Sequence, residues 1–350
     1  MKLKLLALAV GGLMAGVVSA QSANVTLYGV LDLSLSSERS SGTGAVGSRS
    51  ATYVDSGGLS GSRWGLRGSE SLGGGLNAVF VAESGFLADT GAAGQGGRLF
   101  GRQVFVGLNG GFGSLTLGRQ YSPLFSVLCE VDIDGCSSFS IVGNHHLTRP
   151  GALRVDNTVV YATPNMSGFT AAVMWGAGES VVGTNAARTL SANLQYKAGP
   201  LYAGFGYADV KNAAGTASDR TWTAGGAFDA GVAKLSANYL EGKNTATNVK
   251  FKGYQVGAAV PFGATTALVN VGEGKIGAAK NRILMVGADH SLSKRTTAYA
   301  RVGISNNNGA SNLDMFHGNS FGASGSAATV APTGAGSDER IISLGVRHRF

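Results

Sequence analysis

Few residues in this 350-residue chain have types and spacing suited to chemistry. Cys129 and Cys136, the only cysteines, stand seven apart and bracket Glu130, Asp132 and Asp134. Two thiols without neighbouring histidines make a poor zinc site, so no metal is expected. In an exported chain a local disulfide is the simplest use of the pair, although sequence leaves its geometry open. His145-His146 could titrate near neutral pH, and an exposed loop pair is the plainer reading. His290, His317 and His348 form no ligand spacing. Arg63 and Arg67 alternate with Trp64 and Leu66, and Arg154 lies opposite Val155 and Val159. Guanidiniums lined up on one face attract anions and catalyse nothing by themselves.

The familiar catalytic signatures fail. Gly42-Thr43-Gly44-Ala45-Val46-Gly47 has the spacing of a dinucleotide loop, but Ser48-Arg49-Ser50 and no helical pattern follow it, so it fails its context test. Neither a Walker lysine followed by Ser/Thr, nor HExxH, nor GxSxG occurs. Lys and Arg are dispersed rather than gathered into a nucleic-acid footprint. The expectation is a protein that is not an enzyme, uses no cofactor and binds no nucleic acid.

The elements that position these residues follow from composition. Glycine occurs 56 times and proline 6 times, with 14% charged and 44% hydrophobic residues. That charge content is low against a usual ~25%, and the hydrophobic content argues against disorder. Residues 1–20 read as a cleaved signal peptide: Lys2 and Lys4 in front, an apolar stretch from Leu5 to Val18, and small residues ahead of a cut after Ala20. No later apolar run reaches the ~18 residues of a membrane helix. The remaining domain, 21–350, carries 26 basic and 20 acidic residues, a balance of +6.

From Val25 the chain alternates with period two. Leu27, Leu31, Leu33 and Leu35 oppose Tyr28, Asp32 and Ser34. The pattern returns at 76–83, 169–175, 190–196, 233–239 and 342–350. Such strands have two faces in different surroundings. Sixteen can be counted, the first near 25–36 and the last near 340–350. Tight turns alternate with longer Gly/Ser/Asn-rich loops, among them 37–60, 85–98, 273–281 and 304–338. A soluble β-sandwich or β-solenoid is the competing fold. Aromatics near strand ends, small apolar residues on one face and alternating loop lengths favour an all-β, 16-stranded antiparallel transmembrane barrel instead.

Several blocks resemble the general diffusion porins of Gram-negative outer membranes, in the beta-proteobacterial branch typified by Burkholderia, Bordetella and Neisseria. They are SANVTLYGVLD, SRWGLRGSESLGGGLNAVFVAES, GRQVFVGLNGGFGSLTLGRQY, RVDNTVVYATPNMSGFTAAVMWG, LSKRTTAYA and GVRHRF. The resemblance implies a water-filled channel passing small hydrophilic solutes and inorganic anions, a homotrimer set in outer-membrane lipid and lipopolysaccharide, and a third extracellular loop folded inward. It also implies that the terminal Phe350 is part of the signal read by the barrel assembly machinery.

The resemblance further implies a basic constriction wall at Arg63, Arg119 and Arg154, to which parity adds Arg67. The constriction loop would be 120–153, with Glu130, Asp132 and Asp134 facing the arginines. The PEFGG-like tip of many porins is absent, and the cysteine bracket stands in its place. A substrate-specific channel for a sugar or dicarboxylate is the alternative function, and an outer-membrane adhesin a more distant one.

Overall fold

Alternation along the strands sorts two environments, and the sorting is inverted relative to a protein in water. The computed structural model describes residues 24–42, 47–181, 183–312 and 334–350. In it Leu27, Val106, Val256 and Leu344 are 58–60% exposed. On the opposite face Asp32, Ser36 and Glu38 are at most 1% exposed. Apolar outside and polar inside is the pattern of a barrel whose outer face meets lipid. The expected signal segment 1–20 lies outside the described residues, as does most of the expected loop 304–338.

The strands are β1 (Asn24–Ser40), β2 (Arg49–Ser56), β3 (Arg63–Gly73), β4 (Leu76–Gly85), β5 (Gln103–Gly110), β6 (Gly113–Tyr121), β7 (Arg154–Ala162), β8 (Phe169–Gly176) and β9 (Thr189–Ala198). Then follow β10 (Leu201–Lys211), β11 (Ser218–Asp229), β12 (Lys234–Asn244), β13 (Lys250–Phe262), β14 (Thr265–Ile276), β15 (Ala279–Ser291), β16 (Thr296–Asn307) and β17 (Glu339–Arg349). From β3 onward each pairs antiparallel with the next, and β1 closes the ring against β17 and β3. Closure satisfies every ladder and leaves no edge, which a lipid environment requires.

β2 and β3 are two halves of one stave. β2 pairs with 33–40 of β1, and β3 pairs with 24–30. The seventeen ladder segments therefore make a closed 16-strand barrel. β2 lies inside the stretch expected to be a loop at 37–60. Its Ser-, Thr- and Tyr-containing sequence alternates too weakly to reveal a strand. The expected long loop 273–281 is also corrected, because β14 and β15 run to Ile276 and Ala279. Charges that look loop-like on paper are paired across the strands: Arg282 and Lys280 both reach Glu273, at 2.8 and 3.0 Å.

The last residue helps close the ring. Phe350 N–H donates to the Gly29 carbonyl at 3.1 Å, and Gly29 N–H donates back to Phe350 at 3.0 Å. The Phe350 ring lies over Gly29, where a Cβ would collide with it.

Between β6 and β7 the chain forms helix α1 (Pro123–Val131) and a π-helical turn, Val142–His146. Ser122 caps α1, its Oγ accepting the Phe125 N–H at 3.1 Å, and Pro123 takes the first turn. Leu124, Val127, Leu128 and Val131 form its buried stripe, which packs on β9, β10 and β11. Inner-face glycines receive these side chains. Gly204 lies beside Val127 and Gly206 beside Leu124, on the face opposite the exposed Phe205.

Candidate charge-selecting site

Cross-strand register gathers the basic residues on the wall from β1 to β7. Arg67 stands opposite Thr26 on β1 and Val81 on β4, with its guanidinium 5.2 Å from the Tyr28 ring centre. Arg63 ends the same face of β3, opposite Val30. Neither makes an ion pair among the described residues. Glu83 accepts from Tyr28 Oη at 3.1 Å and from Arg102 Nε at 2.8 Å.

Tyr121 is the hub. Its hydroxyl accepts from Arg102 at 2.6 Å and from Arg154 at 2.7 Å, and the Arg154 guanidinium lies 4.6 Å above its ring centre. The ring stacks on Phe125 of α1 at 4.1 Å, tying the arginine wall to the inserted segment. Arg119 donates to Asp156 at 2.6 Å and to the Gly101 carbonyl at 2.8 Å. Arg98 shares Asp156 at 2.9 Å. Four guanidiniums (Arg63, Arg67, Arg102 and Arg154) thus stand about Tyr28, Tyr121 and one carboxylate, Glu83, whereas Arg119 pairs across β5 with the outward Val104 and joins Arg98 on Asp156. Burial pulls the Arg102 charge down, and Tyr121 and Glu83 overcome it, so its pKa ends above the ordinary value.

Simple parity does not reach Arg154. Gly118 pairs with Thr158, but Gln120 pairs with Val155, so β7 spends one more residue than β6. A bulge of this kind re-aims side chains, with Asn157 at φ 56°. The contacts of Arg154, not its alternation with Val155 and Val159, place it beside Tyr121. Arg98 and Arg102 escaped sequence reasoning because they sit in a glycine-rich loop and just before β5. Their signal is the run GGRLFGR, two arginines four apart entering a strand.

The acidic residues do not stand opposite this wall as a free set. Glu130 pairs with Lys197 on β9. Asp134 accepts from Arg301 of β16 at 2.6 Å and from Ser137. Arg301 also reaches Asp289 at 2.8 Å. Asp132 is buried, with no cation paired to it among the described residues. It accepts from the backbone of Asp134 and Cys136, from Ser140, and from Gln255 and Asn270 of β13 and β14. Burial, then the charge of Asp134, pushes its carboxyl up to about 6 against those bonds. Asp132 and Asp134 are therefore anchors of the segment to the far wall. Cys129 and Cys136 form a disulfide with Cα atoms 5.1 Å apart, closing the turn that presents both aspartates.

His145 and His146 are buried, at 1% and 0% exposure, where an exposed pair was the plainer expectation. Their rings meet edge to face at 5.4 Å and fill a hollow over Gly253 and Gly274, which pair directly across β13 and β14. None of the four ring nitrogens has a hydrogen-bond partner among the described residues. Burial, then the Arg149 charge, pushes His145 down to about 3. Burial, His145 and Arg149 hold His146 well below its ordinary value. The remaining histidines gather no metal set among the described residues, and His317 lies outside them.

Known proteins resemble this chain in sequence and shape. A family model described as Gram-negative porin matches residues 6–310. An outer membrane porin of Bordetella pertussis is 34% identical over 235 residues, covering 61% of this chain and 60% of that protein. Outer membrane porin protein 32 of Delftia acidovorans is 34% identical over 222 residues, covering 61% of each. The matched stretch thus spans about three fifths of these relatives' length. A solved anion-selective porin from Comamonas acidovorans superposes with a TM-score of 0.79 at 29% identity, covering 94% of this chain and 100% of that one.

Proposed function

The chain belongs to the Gram-negative porin family, and on that premise we propose that it is an outer-membrane channel for passive diffusion of small hydrophilic solutes, with a preference for anions. The observation that carries the preference is the excess of guanidiniums over carboxylates around Tyr121 and Glu83. Charges of one sign in a narrow, poorly screened throat raise the local concentration of the opposite ion. The relative from Comamonas, anion-selective by description, supports the same reading.

In this reading Arg63, Arg67 and Arg154 form the basic wall, with Arg102 added to it, and Arg119, expected in the same wall, stands at its edge with Arg98 on Asp156. The segment 120–153 is the constriction loop, held against the opposite wall by Asp132, Asp134 and the disulfide. Residues 1–20 are the cleaved export signal, Phe350 serves barrel assembly, and three copies form the trimer that sits in lipid and lipopolysaccharide. The deciding experiment measures the reversal potential across a planar bilayer under a KCl gradient. The sign expected is that of chloride moving more readily than potassium. A potassium-selective potential would overturn the arginine argument, and failure to conduct would overturn the channel itself.

A further inference from the structure

The wall that carries Arg67 is not polar throughout. Val79 and Val81 of β4 pair with Ser69 and Arg67 of β3, so they share the inner face with the guanidinium. Phe105 of β5 pairs with Val81 and Gly118, and a Cβ on Gly118 would collide with it. Val160 of β7 pairs with Thr116. Outward neighbours Val104, Val106 and Leu117 are 41–58% exposed, so the lipid-facing set is a different one. Val79, Val81, Phe105 and Val160 line a cavity of about 620 Å³ together with Arg67, Gln120 and small polar side chains such as Thr26 and Thr116.

A water-filled passage has no need of four apolar side chains on adjacent strands. Elsewhere the apolar side chains of the inner face, such as Leu240, Met285 and Ile341, lie in one buried cluster with Leu124, Leu128 and Phe139 of the inserted segment, beside Ser, Thr, Asn and Gln such as Ser343, Thr223, Asn270 and Gln255. Here an apolar floor lies beside a cation, Arg67, that has no carboxylate partner among the described residues. The pairing is complementary to a solute with a carboxylate at one end and an apolar body at the other. The carboxylate takes the guanidinium, and the body covers Val81 and Phe105, where edge or offset contact with an aromatic ring is favourable.

We propose that this cavity is a weak binding site for small aromatic monocarboxylates, which it favours over aliphatic and inorganic anions of the same charge. The proposal rests on the anion-preferring reading above and names the solute class that this part of the wall selects. Binding must stay weak for transport, since a solute that does not leave is not conducted.

The test uses the full protein in planar bilayers, titrating phenylacetate and acetate against the chloride current. Phenylacetate is expected to halve the current at a concentration at least tenfold below acetate, about 1.4 kcal/mol of preference. Val81→Thr keeps the side-chain shape, and Phe105→Ser removes the ring. Both are expected to bring the two acids together, while Arg67→Gln weakens the block by either. Retained β-sheet circular dichroism verifies folding, and the isosteric Val81→Thr keeps the question answerable if Phe105→Ser misfolds. Equal block by the two acids in the native protein, or a tenfold gap surviving Val81→Thr and any folded Phe105→Ser, overturns the proposal. The KCl reversal potential, measured on the same bilayers, reports separately on the anion-preferring reading.

Discussion

The arginines of this wall look alike in sequence and do different things. Arg102 is 2% exposed and bonded to Glu83 and Tyr121, whereas Arg67 has no ion pair among the described residues. Removing one partner of a buried pair leaves an uncompensated charge and costs ~3–5 kcal/mol. Arg102→Gln should therefore lower the urea midpoint of the detergent-solubilised barrel and reduce anion preference together. Arg67→Gln should reduce anion preference with the midpoint unchanged. Equal midpoints for the two variants would show that the Arg102–Glu83 pair has no structural weight. The direction of Arg63 and Arg67 is legible in sequence because β3 is regular there. That of Arg154 is not, since the extra residue on β7 breaks parity. The partners of Asp132 and Asp134 were illegible for another reason: Gln255, Asn270 and Arg301 lie more than a hundred residues away, and only closure of the barrel brings them near.

At the scale of elements, strands with two distinct faces declare themselves by alternation, whereas the inserted segment does not. Ser122-Pro123 marks the start of α1, but no local pattern says which wall its apolar stripe will meet. The answer lies in glycines on β10, β13 and β14 that make room for Leu124, Val127 and the two imidazoles. That fit couples the segment to pH. His145 and His146 stay neutral when docked and regain an ordinary pKa near 6.5 when released into water. Depressed docked values mean that the released state binds more protons below pH 6.5, so docking weakens as pH falls through that value. From pH 7 to 5 His145 contributes about 2 kcal/mol of loss, and His146 adds to it in the same direction. The raised carboxyl of Asp132 opposes this by about 1 kcal/mol over the same window, since its docked form takes a proton below about 6. The histidines win. Protease cleavage within 122–153 should rise on acidification from pH 7 to pH 5 in native protein and much less in a His145→Phe, His146→Phe variant. A cleavage rate independent of pH in native protein would rule out the coupling.

The whole molecule explains a composition that looks odd residue by residue. Half of every strand faces lipid, where a midplane Arg or Lys costs ~2–4 kcal/mol, so few charges are needed and 14% suffices. The charges that remain do two jobs: anchoring pairs such as Asp134–Arg301 and Glu130–Lys197 hold the inserted segment, and on the β1–β7 wall Arg63 and Arg67 stand without an ion pair among the described residues. Selectivity that comes from such unpaired charge is a property of its field and must obey screening. The Debye length falls from about 10 Å at 0.1 M salt to about 3 Å at 1 M. The chloride-to-potassium permeability ratio should therefore fall toward unity as KCl on both sides is raised over that range at a fixed gradient ratio. Arg67→Gln should shift the ratio most at the low-salt end, because screening removes the same contribution at high salt. A ratio constant from 0.1 to 1 M would assign selection to direct coordination or pore width, leaving the excess of guanidiniums without a role in choosing the ion.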